Sequence, residues 1–355
     1  MTLTGPVEIV GVGLLGTSVA LACRRAGLDV LLTDVSPEHL RTASGLGAGR
    51  PRTDDDRPQL VVVAVPPDHL GEAVAEALQR TGAVVTDVGS VKEAPLRVVL
   101  AAVETADAAR YVGSHPMAGS ERSGPLAASS ALFDGRPWAV VPHEGSSHEA
   151  VALVDELAAL CGAATVRLSP ADHDRAVART SHLPHLAAVL VAGRLADAPA
   201  DHLALSGQGL RDVTRVAGSD PGLWEQIVSA NDQAVLGVLG EMREQLDTLI
   251  AALVSGERPG LHDVLRRGVA GTLAIPGKHG GPARPMRAVF VAVPDHPGEL
   301  ARLFADVGAS EVNIEDIHID HDPARPVGLV ELLVEETRAE HLRASLESRG
   351  WVTHR

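Results

Sequence analysis

The segment that starts at Tyr111 reads YVGSHPMAGSE and places a histidine close to a serine and a glutamate. Its apolar start predicts a short strand, and we expect His115 to lie on the loop that follows. Because Pro116 lacks a backbone N–H and disfavours the helical conformation in the residue before it, this loop should be extended and stiff. An imidazole held near the hydroxyl of Ser120 and the carboxylate of Glu121 can act as a general base; the alternative is an ordinary surface histidine.

A glycine-rich segment near the N-terminus is typical of a dinucleotide-binding turn. Residues 11–16 read GVGLLG and lie between a predicted strand, 7–10, and a predicted helix, 17–26. In this G-x-G-x-x-G pattern the first glycine allows a tight turn, the second lets a pyrophosphate approach the backbone, and the third lets the helix pack on the strand. A glycine-rich turn that binds nothing is the alternative. The candidate cofactor-binding residues are Gly11, Gly13, Leu14, Leu15, Gly16, Asp34 and Val65.

An acidic residue at the end of the next strand bears on the choice of cofactor. The predicted strand 30–33 is followed by Asp34, whose carboxylate can accept hydrogen bonds from the ribose hydroxyls of NAD and would repel the 2′-phosphate of NADP. We therefore expect NAD. Arg41 and Arg50 lie nearby in the sequence, and because of these basic residues NADP remains an alternative cofactor.

Strands and helices keep alternating, which predicts a doubly wound α/β domain of the Rossmann type over residues 1–168. Ligands of such sheets bind at the carboxyl ends of the strands. One apolar strand ends at Val65, and the predicted strand 83–86 leads to Ser90 in the segment DVGSVK. We expect Ser90 to lie beside the cofactor or to hydrogen-bond His115, or else to cap the helix that follows.

The region 169–266 changes to long helices and carries two polar clusters. In the segment SHLPH, His182 and His185 are three residues apart and share a helix face. They could ligate a metal, but no third ligand of matching pattern follows, so we expect an anion site or a polar helix face and no metal. In the segment RDVTR, Arg211 and Arg215 are four apart on one helix face, where an arginine can clamp a carboxylate or form intrahelical ion pairs.

The bulk composition restricts the class of partner. The chain has 355 residues, enough for several cores, and a formal net charge of −15, which argues against nucleic acid and anionic membranes. No signal peptide and no apolar run long enough to span a bilayer is visible, and the two cysteines, Cys23 and Cys161, have no metal or disulfide spacing. We therefore expect a cytoplasmic protein that acts on a small molecule.

Together these motifs resemble the prephenate dehydrogenase family over essentially the whole chain. The most specific motifs are HPMAGSE at 115–121, SHLPH at 181–185 and RDVTR at 211–215, in this order, followed by DPGLW at 220–224. The resemblance implies that NAD⁺ takes a hydride from prephenate while the ring carboxylate leaves as CO₂ and the ring becomes aromatic. It also implies a homodimer built on the helical region.

The resemblance implies a role for each matched residue. His115 would accept the proton of the substrate hydroxyl, Ser90 would orient His115, and Arg215 would bind a substrate carboxylate. Trp224 would be offered by the partner subunit, and Arg211 falls where related sequences carry a lysine or another polar group. The residues implied to bind substrate are Ser120, Glu121, His182, His185, Arg211, Arg215 and Trp224.

The C-terminal part is predicted to form a separate module. Residues 267–285 are rich in glycine, proline and basic residues and predict a linker, and the elements over 286–355 are expected in the order βαββαβ. The segments PDHPGEL and VNIEDI resemble an ACT domain, a regulatory module that binds amino acids. This resemblance implies an effector, for which tyrosine is the candidate as the end product; a purely structural dimerisation module is the alternative.

Three other functions stay open from the sequence. Arogenate dehydrogenase performs the same chemistry on a substrate that carries an amine in place of the side-chain ketone. The sequence alone distinguishes this activity poorly from prephenate dehydrogenase activity. A non-catalytic sensor of NAD and amino acids would need a damaged site, whereas His115, Ser90 and Arg215 are all present. A dehydrogenase of a small hydroxy acid is disfavoured by the HPMAGSE segment.

Overall fold

The computed structural model describes residues 2–118, 123–256, 258–276, 285–321 and 327–354. The chain divides into two compact units, residues 1–244 and 245–355. The first unit holds a large sheet and a series of helices, and the second holds a smaller sheet.

The first unit is built on one sheet, whose strands in the described residues are β1 (Val7–Val10), β2 (Val30–Thr33), β3 (Arg50–Pro51), β4 (Leu60–Val63), β5 (Val84–Asp87), β6 (Tyr111–Pro116), β7 (Pro137–Val141) and β8 (Ala164–Arg167). The spatial order is β3-β2-β1-β4-β5-β6-β7-β8. Neighbours are parallel except β6 and β7, which are antiparallel. Because the strand order reverses between β1 and β4, a crevice opens at their carboxyl ends, where such folds bind ligands.

The connecting helices are α1 (Leu14–Arg25), α2 (Pro37–Gly45), α3 (Pro67–Arg80), α4 (Glu93–Ala102), α5 (Thr105–Ala108) and α6 (His148–Leu160). The central strands are short apolar runs, and every residue of β4 is buried. Such uninterrupted apolar runs are typical of parallel strands that are covered by helices on both faces. The predicted Rossmann-type, doubly wound architecture is confirmed, and the antiparallel β6–β7 pair is its one departure from a parallel sheet in the described residues.

His115 lies within β6, so the prediction that it lies on a loop after the strand is wrong. β6 continues beyond Gly113 because β7 pairs with it, in the register His115 with Ala139 and Pro116 with Trp138. A proline is tolerated at the end of such a strand, since its missing N–H ends the ladder there. The backbone of His115 is therefore held by the sheet.

Further helices follow the sheet, namely α7 (Pro170–Val177), α8 (Leu183–Gly193), α9 (Ala200–Leu203), α10 (Gln208–Thr214), α11 (Pro221–Ala230) and α12 (Asp232–Ser255). Between α7 and α8 the backbone forms a π-helical turn, in which the N–H of Leu183 donates to the carbonyl of Ala178. Pro184 accounts for this irregularity, because it has no N–H to continue an α-helix and its ring crowds the preceding turn. His182 and His185 both become buried here.

The second unit contains the end of α12, helix α13 (Arg258–Leu273), and the elements β9 (Met286–Pro294), α14 (Glu299–Gly308), β10 (Asp316–His321), β11 (Val327–Glu335), α15 (Glu336–Ser348) and β12 (Val352–His354). From β9 onward these elements follow one another along the chain in the order βαββαβ, which confirms the prediction. The four strands form an antiparallel sheet with the spatial order β10-β11-β9-β12.

The predicted linker over residues 267–285 is wrong in its first part, because α13 continues to Leu273. Leu265, Val269 and Leu273 recur every four residues and form one helix face, a pattern that outweighs the glycines between them. Residues 277–284 of the predicted linker lie outside the described residues.

Gly16 lies where α1 packs closely on the turn after β1. A Cβ atom at this position would overlap the carbonyl oxygen of Gly11 and lie 3.1 Å from the Cβ of Ala64. We expect Gly16→Ala to lower the free energy of unfolding by about 1–3 kcal/mol, as overpacking does, measured by urea unfolding followed by circular dichroism. Gly13→Ala is the matched control, since no atom lies within 4 Å of a Cβ placed there. Equal stability of the two variants would contradict this account of the packing.

Candidate active site

The turn after β1 is tied to the end of β2. Gly11 has φ +92°, a conformation that favours glycine, and its N–H donates to the carbonyl of Thr33 at 2.8 Å. The N–H of Val12 donates to Oδ2 of Asp34 at 2.7 Å, and Oγ1 of Thr17 donates to the carbonyl of Val12 at 2.9 Å. The turn is therefore rigid, and Asp34 is part of what holds it.

The turn leaves room where a pyrophosphate would bind. α1 begins at Leu14, so the free N–H groups of its first turn and the positive end of its dipole lie at this turn. The space around a Cβ of Gly13 is open. Each carboxylate oxygen of Asp34 accepts one backbone N–H, from Val12 and from Ser36, which leaves lone pairs for ribose hydroxyls. These residues fit a dinucleotide.

Two further candidate cofactor residues border the same turn. Val65 follows β4, and its Cγ1 would lie 3.1 Å from a Cβ placed on Gly11. Leu15 is half-buried in the first turn of α1 and packs against the core of the sheet. The ends of β1 and β4 therefore form the two sides of the crevice.

His115 is connected to two groups that the sequence analysis missed. Its imidazole is only 9% exposed, and its Nδ1 lies 3.0 Å from Nε2 of His173. Nδ1 of His173 lies 2.8 Å from Oδ1 of Asp174. The Asp174 carboxylate also accepts hydrogen bonds from the backbone N–H groups of Lys92 and Glu93, at 2.8 and 2.9 Å. A continuous row of hydrogen bonds thus connects His115 to the start of α4.

A second buried cluster lies at the end of β5. The ammonium group of Lys92 forms an ion pair with Oδ1 of Asp87, and both side chains are at most 1% exposed. Oδ2 of Asp87 accepts a hydrogen bond from the hydroxyl of Tyr111 at 2.8 Å, and Oδ1 accepts one from the N–H of Gly89, also at 2.8 Å. Both charges are therefore paired, which is the condition under which buried charges are tolerated.

The environment keeps His115 uncharged. Burial lowers its pKa well below the usual histidine range, and the neighbouring His173, Lys92 and His182 lower it further. Burial also lowers the pKa of His173, although the hydrogen bond to Asp174 opposes this change. A neutral imidazole can accept a proton, so His115 has the protonation state that a general base needs.

A stacked aromatic group lies at the start of α8. The ring of Trp224 is parallel to that of His185, with centroids 3.5 Å apart and planes at 4°, and it meets His182 edge-on at 6.1 Å. Burial lowers the pKa of His182 to about 4 and also lowers that of His185. These contacts lie within one chain, because α11 begins just before Trp224 and brings its ring onto both histidines.

Ser90 is not hydrogen-bonded to His115 in the described residues, and its implied role in orienting that ring stays a prediction. The His115 ring is hydrogen-bonded to His173 instead. The reason is geometric: the inward face of α7 occupies the Nδ1 side of His115. Ser90 is half-buried near the carboxyl end of β5, on the edge of the sheet where the glycine turn also lies.

The helix that was predicted to carry both arginines ends between them. Arg211 lies in α10, whereas Arg215 follows the last residue of α10 and begins a 3₁₀ turn, Arg215–Gly218. That turn packs against α8. Both guanidinium groups are exposed, and neither forms an ion pair with a described residue. Ser120 and Glu121 lie outside the described residues.

A local sequence pattern indicates that His173 and Asp174 lie on the inward face of a helix. Ser169 followed by a proline predicts a helix start, and the side chain of Ser169 does accept the N–H of Asp172. His173 lies four residues before the apolar Val177, and Asp174 four before Ala178, so both lie on the inward face of α7. A third missed residue, Asn231, follows α11, where no local pattern indicates a role.

The described residues also restrict other chemistries. No group of three or more histidine, cysteine, aspartate or glutamate side chains among them is arranged to hold a metal ion. Cys23 and Cys161 are buried free thiols. No helix in the same residues combines the length and the apolar character needed to cross a membrane.

Comparison with known proteins agrees with this geometry. The family models described as "Prephenate dehydrogenase, nucleotide-binding domain" and "Prephenate dehydrogenase, dimerization domain" match residues 19–167 and 169–267. A probable prephenate dehydrogenase of Streptomyces niveus, NovF, is 38% identical and aligns with 97% of this chain and 98% of its own length.

Solved structures give the same result. The crystal structure of prephenate dehydrogenase from Aquifex aeolicus in complex with hydroxyphenyl propionate and NAD⁺ has a TM-score of 0.68 and 28% identity, covering 75% of this chain and 96% of that chain. Synechocystis arogenate dehydrogenase has a TM-score of 0.64 and 26% identity, covering 77% of this chain and 99% of that chain. The chain belongs to the prephenate dehydrogenase family, as its motifs predicted.

Proposed function

We propose that this chain catalyses the NAD⁺-dependent oxidative decarboxylation of prephenate to 4-hydroxyphenylpyruvate, a step of tyrosine biosynthesis. The observation that carries the proposal is His115, a buried and neutral imidazole on the same edge of the sheet as the glycine turn. The matched nucleotide-binding domain and the NAD⁺-bound relative confirm the predicted cofactor, NAD.

The reaction moves a hydride, a proton and a carboxylate. When bound, NAD⁺ supplies the acceptor for the hydride that leaves the hydroxyl-bearing ring carbon. His115 accepts the hydroxyl proton as that C–O bond becomes a carbonyl. The bond between the ring and its carboxylate then breaks to release CO₂, its electron pair makes the ring aromatic, and His115 returns the proton to the ring oxygen. No net proton is released.

The substrate is a dianion, so a protein with a net charge of −15 needs local positive groups at this site. We assign Arg215 to a substrate carboxylate, because its guanidinium group is exposed on a turn that packs against the helix of His185. Arg211 is the second candidate. His185 supports the assignment, since its Nδ1 is buried without a hydrogen-bond partner in the described residues, and a bound substrate would provide one.

The remaining matched residues line the proposed pocket. We assign Ser90 to the space between the cofactor and the substrate ring, and His182 to a polar contact with the substrate. Trp224 would form an apolar wall, since its indole already stacks on His185. Ser120 and Glu121 are assigned to the pocket on the strength of the family motif.

We also propose that the chain forms a homodimer through its helical region. Met242, Leu246, Ile250 and Leu253 follow each other at spacings of four, four and three residues along α12, and all four are exposed. An exposed apolar stripe of this kind is typical of a helix that packs against a second copy. The name of the matched dimerization domain supports the same assignment.

The C-terminal module is proposed to be an ACT domain that binds tyrosine as a feedback effector. The observed βαββαβ order and the antiparallel sheet support this assignment. The turn that includes Asp295 to Glu299 and the segment 308–313 are the proposed effector contacts. We retain a nucleotide-binding region, 1–168, and a C-terminal module, 286–355, and extend the helical region from residue 169 to Leu273.

We place the reaction in the cytoplasm. Tyrosine biosynthesis draws on NAD⁺, a cofactor of that compartment. Cys23 and Cys161 are buried free thiols, a state that a reducing compartment maintains.

NADH formation by the purified protein tests the function directly. Prephenate and arogenate are each supplied with NAD⁺ or NADP⁺, and CO₂ release is followed in parallel. We expect the highest kcat/KM with prephenate and NAD⁺. A preference for arogenate would move the activity to the other branch of the pathway, and no turnover by a folded, NAD⁺-binding protein would contradict the proposal and favour the sensor.

His115→Asn removes the proposed base. We expect kcat to fall by about 10²–10⁴-fold, the usual contribution of a general base, while the Kd for NAD⁺ stays within about twofold because His115 is not part of the glycine turn. His148→Asn, at an exposed position at the start of α6, is the matched control and should retain full activity. Unchanged turnover of His115→Asn would remove this residue from the mechanism.

The pH dependence of kcat/KM reports the ionisation of His115 in the free enzyme. Burial, His173, Lys92 and His182 hold its pKa well below the usual value of 6.5, so its neutral form is lost only when the pH falls through that lowered value. We therefore expect initial-rate kcat/KM values to be constant around pH 7 and to decline only well below pH 6.5. A decline with its midpoint at or above pH 6.5 is the result that this assignment does not allow.

Ile250→Asp tests the proposed dimer. A charge in the middle of the apolar stripe should convert the dimer to a monomer, observed by sedimentation equilibrium as half the molar mass of the unaltered protein. Ala251→Asp is the matched control, because it adds the same charge to an exposed position on the other side of α12. A dimer that survives Ile250→Asp would exclude this helix face as the interface.

A further inference from the structure

Three buried polar side chains are hydrogen-bonded to His115 or His182, directly or through one another, and the proposed reaction uses none of them. His173 is 1% exposed, Asp174 is 2% exposed and Asn231 is 6% exposed. The first two belong to α7, and Asn231 lies between α11 and α12. Their hydrogen bonds determine where the protons of two other histidines must be.

Asp174 is fixed as an acceptor of hydrogen bonds. Its Oδ1 accepts the N–H of Lys92 and its Oδ2 accepts the N–H of Glu93. A backbone N–H can only donate, so both oxygens act as acceptors. Nδ1 of His173 is 2.8 Å from the same Oδ1. This Nδ1 therefore carries a proton and donates it to the carboxylate.

The proton on Nδ1 of His173 sets the tautomer of His115. A neutral imidazole carries one proton, so Nε2 of His173 is an acceptor. Nδ1 of His115 lies 3.0 Å away and must therefore donate to it. Burial lowers the pKa of both rings, which keeps both neutral. Nε2 of His115 is then left without a proton and is the atom that can accept one from the substrate.

Asn231 sets the tautomer of His182 in the opposite sense. Its Nδ2 donates to the main-chain carbonyl of Asp174 at 2.9 Å and lies 3.2 Å from Nδ1 of His182. The bond to the carbonyl defines which end of the amide is the NH₂ group. Nδ1 of His182 must therefore accept, and its proton is on Nε2.

We propose that the Asp174 carboxylate is a positioning group that sets His115 as an acceptor at Nε2 through His173. Asn231, which is oriented by the main-chain carbonyl of Asp174, sets His182 as a donor at Nε2. The proposal rests on the proposed function, in which a hydroxyl proton is removed from a substrate that also carries carboxylate and ketone oxygens. Such a substrate needs both a neutral acceptor and a neutral donor. An aspartate that only capped α4 would leave His115 free to carry its proton on either nitrogen.

The tautomers can be read by ¹⁵N NMR of the full-length protein labelled at histidine, without any substrate. His115→Asn and His182→Asn identify the two sets of resonances. At neutral pH we expect the shift of a deprotonated nitrogen at Nε2 of His115 and at Nδ1 of His182. The two rings thus serve as controls for each other. A proton on Nε2 of His115, or the same tautomer in both rings, would overturn the proposal.

Two substitutions of His173 separate positioning from packing. His173→Gln retains a side-chain carbonyl that can accept from Nδ1 of His115, whereas His173→Leu removes the acceptor at similar volume. We expect His173→Leu to shift His115 toward the other tautomer and to lower kcat by about 10- to 10²-fold with little change in KM, less than the full loss of a general base. His173→Gln should restore the tautomer and most of kcat.

The outcomes distinguish this proposal from the proposed function. Equal loss of kcat in both His173 variants, with the His115 tautomer unchanged, would reduce His173 to a packing residue and overturn the proposal. The spectrum of the unaltered protein decides the tautomers even where a variant fails to fold. The expected spectrum in a protein that does not oxidise prephenate would support the tautomer assignment while contradicting the function.

Discussion

The hydrogen bond between Nδ1 of His115 and Nε2 of His173 connects the two parts of the structure on which the site depends. His115 belongs to strand β6 of the sheet, and His173 belongs to α7, at the start of the helical region. Both rings are buried, so water does not compete for this bond. The bond holds the imidazole at the edge of the sheet that also carries the glycine turn.

Charge balance around this bond follows from a few paired groups. Lys92 is a buried cation, which Asp87 neutralises while also accepting the hydroxyl of Tyr111. Its charge disfavours a second positive charge on His115 and so helps to keep that ring neutral. The exposed arginines of the helical region are the groups that we propose to supply positive potential for an anionic substrate. The overall negative charge of the chain does not decide what this site binds.

Local patterns in the sequence were sufficient for the cofactor half of the site. The turn at Gly11, the helix that follows it and Asp34 are close together in the sequence, so strand, turn and helix periodicities predicted their arrangement. The motif around His115 was recognised too, but its position within β6 was not, because that depends on pairing with β7, more than twenty residues later. The predicted linker is wrong in its first part because the apolar periodicity of α13 outweighs the glycines between its apolar residues.

The polar network behind His115 depended on contacts that have no local signature. His173 lies far from His115 in the sequence, and a histidine on the inward face of a helix does not indicate which side chain it will meet. Ser90 was the closer candidate by motif, and only the packing of α7 against the sheet assigns the Nδ1 contact to His173 instead. Trp224 likewise needed the tertiary structure, since its partners are two histidines at the start of α8.

The central claim is that His115 is neutral and has a free Nε2 when the substrate arrives. Neutron diffraction from crystals of the protein exchanged into deuterated buffer at neutral pH would locate the proton directly. The account predicts a deuteron on Nδ1 of His115, a deuteron on Nδ1 of His173 and none on Nε2 of either ring. A deuteron on Nε2 of His115, alone or together with one on Nδ1, would contradict it.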